Sequence, residues 1–455
     1  MAKKKQIELT IEEKLQNALV PKEEQPYKIP NNWCWVRLES INKYKSETLN
    51  PKNAMEKMFE LYSVPSFDNK YPEILIGKDI GSNKYIVKKN DILLCKINPR
   101  INRVWQVYQH TNFGQICSSE WIVIRNEILN KSFLRYYFTS EYFRNRLCEN
   151  VSGVGGSLTR AKPKLVQLYE VPLSPINEQQ RIVNRIESLF TKLDRAKELI
   201  ENALAQFEQN KMAILHKAFT GELTVKWRKE NNIDLSSWEI VSIKDIGEVK
   251  GGKRLPKGEM LVNENTGHPY IKAGNLKNGT VAFNDLQYLK PQVYEKIKKY
   301  IVKENDVYIT IVGACIGDVG IIPKEVNGAN LTENAAKITN LKCNAKFLSI
   351  QLSISSVQKQ IKGKIASATL GKLSLQNIKN IQIKMPTIEE QQEIVNILDK
   401  LLAKYNKIKN LEQQLEKIEL LKKAILAKAF RGELGTNNPD EESAENLLKE
   451  ILAEK

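Results

Sequence analysis

The chain has 455 residues, 27% of them charged, and Lys and Arg outnumber Asp and Glu by 70 to 53, leaving +17 at pH 7. That length exceeds one ordinary hydrophobic core, and the positive excess suits a polyanionic partner, because neutralising phosphates releases counterions. Six cysteines without a C-x-x-C pair and only three histidines argue against a metal site, and no apolar run is long enough to cross a membrane.

Met1–Lys5 is basic and leads into Gln6 and Glu8 rather than a hydrophobic segment, so it reads as a solvated arm, followed by an amphipathic stretch from Ile11 to Leu19. Cys34, Cys95, Cys117, Cys148, Cys315 and Cys343 read as reduced core residues of a cytoplasmic protein. A first domain opens on Trp33-Cys-Trp-Val-Arg-Leu38 with Ile41. In it the turn pair Asn90-Asp91 leads into the β-rich run Ile92–Cys95. A helix is expected over Phe133–Leu147, then a Gly/Ser-containing loop and a last extended stretch before Pro175.

From Pro175 onward Ile182, Ile186, Leu189, Leu193, Ala196, Ile200, Ala203, Phe207 and Ile214 follow steps of four and three, broken only at Asn210. Asn177 is placed to cap the start and Gly221 to end the helix in a left-handed turn. Such a helix is about 65 Å long and carries one narrow apolar stripe, so it needs a partner of similar length.

The same pattern then returns. Trp238-Glu-Ile-Val-Ser-Ile243 with Ile246 repeats the first opening, Asn305-Asp306 leads into Val307–Thr310, and Phe347–Ile361 reads as helix. After Pro386, Thr387 and Glu390 form a capping box, and Ile388-Glu-Glu-Gln-Gln-Glu-Ile-Val-Asn396 copies Ile176-Asn-Glu-Gln-Gln-Arg-Ile-Val-Asn184. The second seam runs Ile394, Leu398, Leu401, Tyr405 and Ile408, then slips by one residue to Leu411, Leu415, Ile418 and Ile425. Lys428-Ala-Phe-Arg-Gly-Glu-Leu434 copies Lys217-Ala-Phe-Thr-Gly-Glu-Leu223, with Gly432 as the second helix end, and Ala444–Leu452 is again amphipathic. The fold expected is α+β with a pseudo-twofold internal repeat: an arm and helix over 1–30, domains over 31–174 and 222–385 (linker 222–236), long antiparallel coiled-coil helices over 175–221 and 386–434, and a tail helix over 435–455.

The two domains diverge most in their middles, where Lys96-Ile-Asn-Pro-Arg-Ile-Asn-Arg103 stands against Val312-Gly-Ala-Cys-Ile-Gly-Asp-Val-Gly320. One frame with different loops suits the reading of different base sequences, since base-edge contacts specify and phosphate contacts position. The basic candidates are Lys96, Arg100 and Arg103, near Asn98 and Asn102, and in the second domain Lys253, Arg254, Lys272 and Lys277. No catalytic constellation survives inspection. Glu248-Val-Lys250 lacks a supporting Asp, and Gly153-Val-Gly-Gly156 follows a helix rather than a strand. Ala366–Ser374 lacks the first glycine of a P-loop, and no Asn-Pro-Pro-aromatic tetrapeptide exists.

Pro175 with Glu178-Gln-Gln-Arg-Ile-Val183, Ala218-Phe-Thr-Gly-Glu-Leu223, Pro30-Asn-Asn-Trp33 with Trp35-Val-Arg-Leu38, and their second copies together resemble the specificity subunit of a type I restriction-modification enzyme. The second copy departs at Glu393, where the first has Arg181, and at Ser237, near where Pro30 would fall. The resemblance implies two target-recognition domains, each reading half of a bipartite, asymmetric site in the major groove of double-stranded DNA, with the helices setting the spacing. It implies partners that do the chemistry: two modification subunits using S-adenosylmethionine, and motor-nuclease restriction subunits using ATP and Mg. This chain would then hold no catalytic residue, metal or cofactor. Docking of the modification subunits falls on Glu178, Gln179, Gln180, Phe219, Glu390, Gln391, Gln392 and Phe430, unless these are only helix caps and coiled-coil ends. Pairing of the two terminal helices would close the half-repeats. The competing readings are a coiled-coil scaffold with non-specific DNA binding and a methyltransferase or nuclease acting alone.

Overall fold

The computed structural model describes residues 9–152, 159–366, 371–403 and 408–454. Met1–Lys5, Gly153–Gly156, residues 367–370 within Ala366–Ser374, Tyr405 and the Ile408 side chain lie outside that description. The chain forms two compact units, one of residues up to Ile200 with Glu412 onward, the other of Glu201–Leu411. Both long helical regions are divided between the units, so each unit is a β-rich domain fastened to parts of two helices.

Both domains are built around the same turn and strand. Asn90 and Asn305 take left-handed backbone (φ 76° and 66°), a conformation their short polar side chains tolerate. The carboxylates of Asp91 and Asp306 close the turn by accepting from the backbone N–H of Lys88 (2.8 Å) and Lys303 (2.9 Å). The strands that follow, Ile92–Cys95 and Val307–Thr310, are buried throughout and lie between two antiparallel neighbours. Those neighbours are Val104–Gln106 and Trp121–Ile124 in the first domain, Val319–Ile321 and Ala335–Thr339 in the second. The expected variable segments, 96–103 and 312–320, thus fall on the same hairpin connection in both, with Val319 and Gly320 already in the outgoing strand.

The surroundings differ. The first domain adds a mixed five-stranded sheet in the order Thr48–Leu49, Lys84–Ile86, Gly114–Ser118, Met58–Tyr62, Glu73–Ile76. The second adds a three-stranded sheet of Gln287–Tyr288, Pro269–Ile271 and Asn330–Leu331. Each domain's opening and closing strands pair with each other, Cys34 opposite Leu173 and Glu239 opposite Met385.

Each expected helix inside a domain is in fact two. Lys131–Thr139 stops at Ser140, whose hydroxyl caps Glu141–Glu149 by accepting from Phe143 N–H (3.3 Å), and Ala345–Ser353 is separated from Ser355–Ala366 by the extended Ile354. Neither break carries a Gly or Pro that would have announced it.

The first spacer helix runs Ile176–Phe219, 44 residues. Asn177 lies inside its first turn and is not the cap; the Pro175 carbonyl accepts from Gln179 N–H (3.0 Å). The second region comprises Ile388–Ala403 and Ile408–Ala429. Along the first seam Ile182 and Ile186 are buried and Leu189, Leu193, Ala196, Ile200, Ala203, Phe207 and Ile214 half-buried, the burial expected of a narrow two-helix contact. In the first unit the helices run antiparallel: Asp194 pairs with Lys422, and Lys197 with Glu419 (3.2 Å). In the second, Ile214, Leu215, Ala218 and Phe219 pack on Ile394, Val395, Leu398 and Leu402. Gly221 and Gly432 end their helices left-handed (φ 82° and 74°), as expected.

The terminal helices Ile11–Ala18 and Ala444–Ala453 do pair, burying Leu15 and Ala18 with Leu447, Leu448 and Ile451 in the first unit's core. Of the cysteines, Cys34, Cys95, Cys117 and Cys343 are buried and Cys148 half-buried, but Cys315 is exposed at the hairpin loop, which corrects its assignment to the core.

Helix anchors and candidate nucleic-acid interface

Glu178 is fully buried at the start of the first spacer helix, yet its carboxylate keeps three donors: Trp33 Nε1 (2.7 Å), Asn437 Nδ2 (2.9 Å) and the Thr436 hydroxyl (3.3 Å). Glu390, equally buried, accepts from Trp238 Nε1 (2.9 Å), the Thr224 hydroxyl (2.6 Å) and Arg228 Nη1 (2.6 Å). A buried charge is tolerated only with such a set of partners. The capping box expected of Thr387 and Glu390 is half formed: Thr387 accepts from Glu390 N–H (3.4 Å), but the Glu390 carboxylate is engaged at Trp238. The repeats differ in their cation. Arg228 enters the second anchor, whereas Arg181 makes a bidentate pair with Glu441 at 2.7 Å beside the first, holding the Glu441 carboxyl below the usual range.

The glutamines repeat the same economy. Gln179 and Gln391 are buried, each accepting a backbone N–H, from Asn130 (3.0 Å) or Asn344 (2.8 Å), and donating to the carbonyl of Ser174 (2.9 Å) or Pro386 (2.8 Å). Phe430 packs on Phe133 and Phe219 on Phe347, with ring centroids 5.3 Å apart in both pairs. Gly432 lies under Pro30 and Gly221 under Leu235, so Leu235, rather than Ser237, is the counterpart of Pro30. Of the eight residues expected to dock a partner subunit, Glu178, Gln179, Phe219, Glu390, Gln391 and Phe430 are therefore interior fastenings with no free face. Only Gln180 and Gln392 are exposed, each accepting from an asparagine amide (Asn130 and Asn344, 2.8 Å in both). Each lines a cleft, of about 460 Å³ with Asn90, Asn130 and Lys131 in the first unit, and about 650 Å³ with Asn305, Asn344 and Lys346 in the second.

In the first domain Lys96, Arg100 and Arg103 do share one hairpin, with Arg100 exposed and Asn98 left-handed at the turn (φ 47°). Asn98 N–H donates to the Thr159 carbonyl (2.8 Å), and Asn102 holds the Thr139 carbonyl (2.6 Å), so the hairpin is braced from two sides. Arg160 bridges to Ile97 and pairs with Glu120 (3.3 Å). Near this hairpin Lys70 lies over the Phe67 ring, where burial, against the pull of Asp68, pushes its ammonium below the usual lysine range.

Beside it the loop Tyr108–Phe113 is held from beneath. Glu60, fully buried on Met58–Tyr62, accepts from the backbone N–H of His110 (3.0 Å) and Thr111 and from Gln115 Nε2 (2.8 Å). Burial pushes its carboxyl up, but the hydrogen bonds from Gln115, Thr111 and His110 outweigh it and leave it below the usual range. The Tyr62 hydroxyl takes both backbone groups of Tyr108.

In the second domain Lys253 and Arg254 follow Glu248–Gly251. Lys253 N–H donates to the Leu331 carbonyl (2.8 Å), and Arg254 pairs with Glu333 (2.7 Å). The Tyr270 hydroxyl joins Lys253 (2.9 Å) to the strand that ends before Lys272, and Lys272 donates to Gln287 (3.0 Å). Lys277 stands apart from them, on a hairpin lining a cleft of about 370 Å³ with Gly317, Asp318 and Gln358. Glu248 and Lys250 form an exposed ion pair with Asn340 alongside, an ordinary strand-surface contact. Among the described residues no group of three or more His, Cys, Asp or Glu could hold a metal ion, and no helix is long and apolar enough to cross a membrane.

The family described as the type I restriction modification DNA specificity domain matches residues 30–206 and again 236–420. The chain belongs to this family. It is a type I specificity subunit with two target-recognition domains, similar to the EcoBI specificity subunit of Escherichia coli (28% identity over 362 residues, 75% of this chain and 74% of that one). It is likewise similar to the EcoKI specificity subunit of E. coli strain K12 (26% over 413 residues, 84% of each). Among solved structures, the HsdS subunit from Thermoanaerobacter tengcongensis shares the fold (TM-score 0.55, 22% identity, 90% of this chain and 99% of that one). So does a chain of a structure addressing assembly and conformational transition of the type I R-M system (TM-score 0.72, 21% identity, 90% and 100%). Both matched stretches of the specificity subunit contain an anchoring Trp, the Asn-Asp turn and the buried Glu-Gln pair. Neither the loop Tyr108–Phe113 nor the residues around it, Glu60, Lys70 and Tyr71, are singled out by the sequence; the one local signal is a polar segment between strands carrying Tyr108 and His110.

Proposed function

We propose that this chain reads a bipartite, asymmetric sequence in double-stranded DNA, one half with each domain, and has no catalytic activity of its own. The observation that carries this reading is the shared frame with unlike loops. Turn, central strand and helix anchor are the same in both domains, while the hairpin that the frame presents is basic in one and Gly-rich in the other. A duplicated frame supports duplicated docking, and contents that differ support two different half-sites. The modification subunits, two of them, would supply S-adenosylmethionine chemistry, and restriction subunits ATP- and Mg-dependent translocation and cleavage, in the cytoplasm. The exposed Gln180 and Gln392 clefts, built on the same Asn–Gln pair, are where a partner used twice would meet this chain.

Mapping methylated bases across the genome of a host carrying the modification subunit, with and without this chain, tests the proposal. A split motif that appears only when the chain is present is expected. Methylation by the purified chain alone, or binding indifferent to sequence, overturns it.

A further inference from the structure

We infer that the loop Tyr108–Phe113, with Lys70 and Tyr71 beside it, is a second base-reading element of the first domain, and that Glu60 is the residue that positions it. This rests on the proposal that the domain reads DNA and names where it does so.

The loop shows its aromatic residues to solvent: Tyr108 is 47% exposed, Phe113 40%, and Tyr71, which meets the His110 ring in a tilted contact at 4.6 Å, 48%. Loops that expose this much apolar surface are ordinarily mobile. This one is fixed at Glu60 by two backbone N–H groups and Gln115, at Tyr62 by both backbone groups of Tyr108, and by Gln115 Nε2 on the Tyr108 carbonyl (2.7 Å). Besides its cross-strand bond to Gln115, this buried carboxylate orders a surface loop through two backbone N–H groups. It gives a binding surface whose ordering entropy is already met before the ligand arrives.

The loop is continuous with the basic hairpin. Lys70 Nζ lies 3.3 Å from the Phe67 ring centre, Phe67 packs on Trp105 at 5.7 Å, and Trp105 stands on the strand that leaves Arg103. Lys70, held over the Phe67 ring, and Arg103, at the start of the Trp105 strand, supply cationic groups that suit a polyanion. Beside such phosphate contacts Tyr108 and His110 offer ring faces for a thymine methyl and polar atoms for base edges. The second domain's accessory sheet has three strands rather than five, so the effect is assigned to the first half-site only.

The test uses the complex of this chain with its modification subunit and compares methylation rates on the cognate site with sites altered by one base in either half. His110→Ala and Tyr71→Ala, both surface changes, are expected to lower discrimination at the first half-site about tenfold or more, leaving the second half-site and the gap unchanged. Glu60→Gln should reproduce the His110→Ala pattern, and Glu60→Asp should restore part of it. Unchanged discrimination in both surface variants, or an equal loss at both half-sites, overturns the inference, whether or not Glu60→Gln folds. Loss of sequence preference in the unaltered complex would instead overturn the proposal beneath it.

Discussion

Trp33 and Glu178, 145 residues apart in the chain, meet in a buried 2.7 Å hydrogen bond from indole to carboxylate. Glu178→Ala would orphan the buried Trp33 Nε1, take the Glu178 acceptor from the Thr436 hydroxyl and leave Asn437 Nδ2 with Asn32 alone, and is expected to destabilise the first unit by about 2–4 kcal/mol. Chemical denaturation followed by tryptophan fluorescence measures it. A loss below about 1 kcal/mol would mean that the carboxylate fastens nothing.

Gly432 and Gly258 have similar backbone (φ 74° and 84°), but a Cβ on Gly432 would stand 2.3 Å from Pro30 Cγ, while one on Gly258 meets nothing within 4 Å. Gly258→Ala should therefore cost only the left-handed strain, about 1 kcal/mol, and Gly432→Ala clearly more. Equal midpoints in urea for the two variants would sink the assignment of Gly432 as a packed helix stop.

The Glu60 carboxyl is held below its unfolded value, so it contributes stability that is fully present above that value, near 4.5, and is lost as pH falls through the folded one. Glu60→Gln should accordingly be less stable than the unaltered chain at pH 7, with the gap narrowing as the medium is taken below about pH 4.5. Paired urea titrations at several pH values isolate this residue from the other carboxylates. A gap that widens on acidification would mean that folding raises the Glu60 carboxyl instead of lowering it.

An insertion placed directly after Phe219 would pull Thr224 and Arg228 away from Glu390 and break the second anchor. Four residues inserted after Asn202, in an exposed stretch of the first spacer helix, with four more between Ala403 and Ile408, avoid this. The added rise is about 6 Å, close to two base pairs. The methylated sequence should keep its half-site bases and gain a longer gap, and an unaltered gap would mean that the helices do not measure the site.

What the sequence made legible was local. Gly221, Gly432 and the Asn-Asp turns each act on backbone within a few residues, and the seam repeats often enough to be seen. What it hid was set by distant contacts. Glu178 and Gln179 are polar residues in a helix's first turn, ordinarily a solvated place, and partners remote in the chain such as Trp33 and Asn130 make them interior. Ser140 breaks a helix that periodicity carries through. Glu60 reads as one more alternating strand residue until the loop it orders, fifty positions on, is folded above it.

Each recognition domain enters and leaves on neighbouring strands, with Cys34 opposite Leu173 and Glu239 opposite Met385. Two genetic breakpoints, one in the Trp-led strand and one just before the proline, therefore excise a whole reading surface and leave the spacer helices untouched. An incoming segment would need to offer a backbone N–H to the buried glutamine, as Asn130 and Asn344 do, an aromatic ring to meet Phe430 or Phe219 and, in the first domain, an apolar face for the terminal helices. Exchange of the segment between those breakpoints would move a whole recognition domain at once, whereas a point substitution alters one contact at a time.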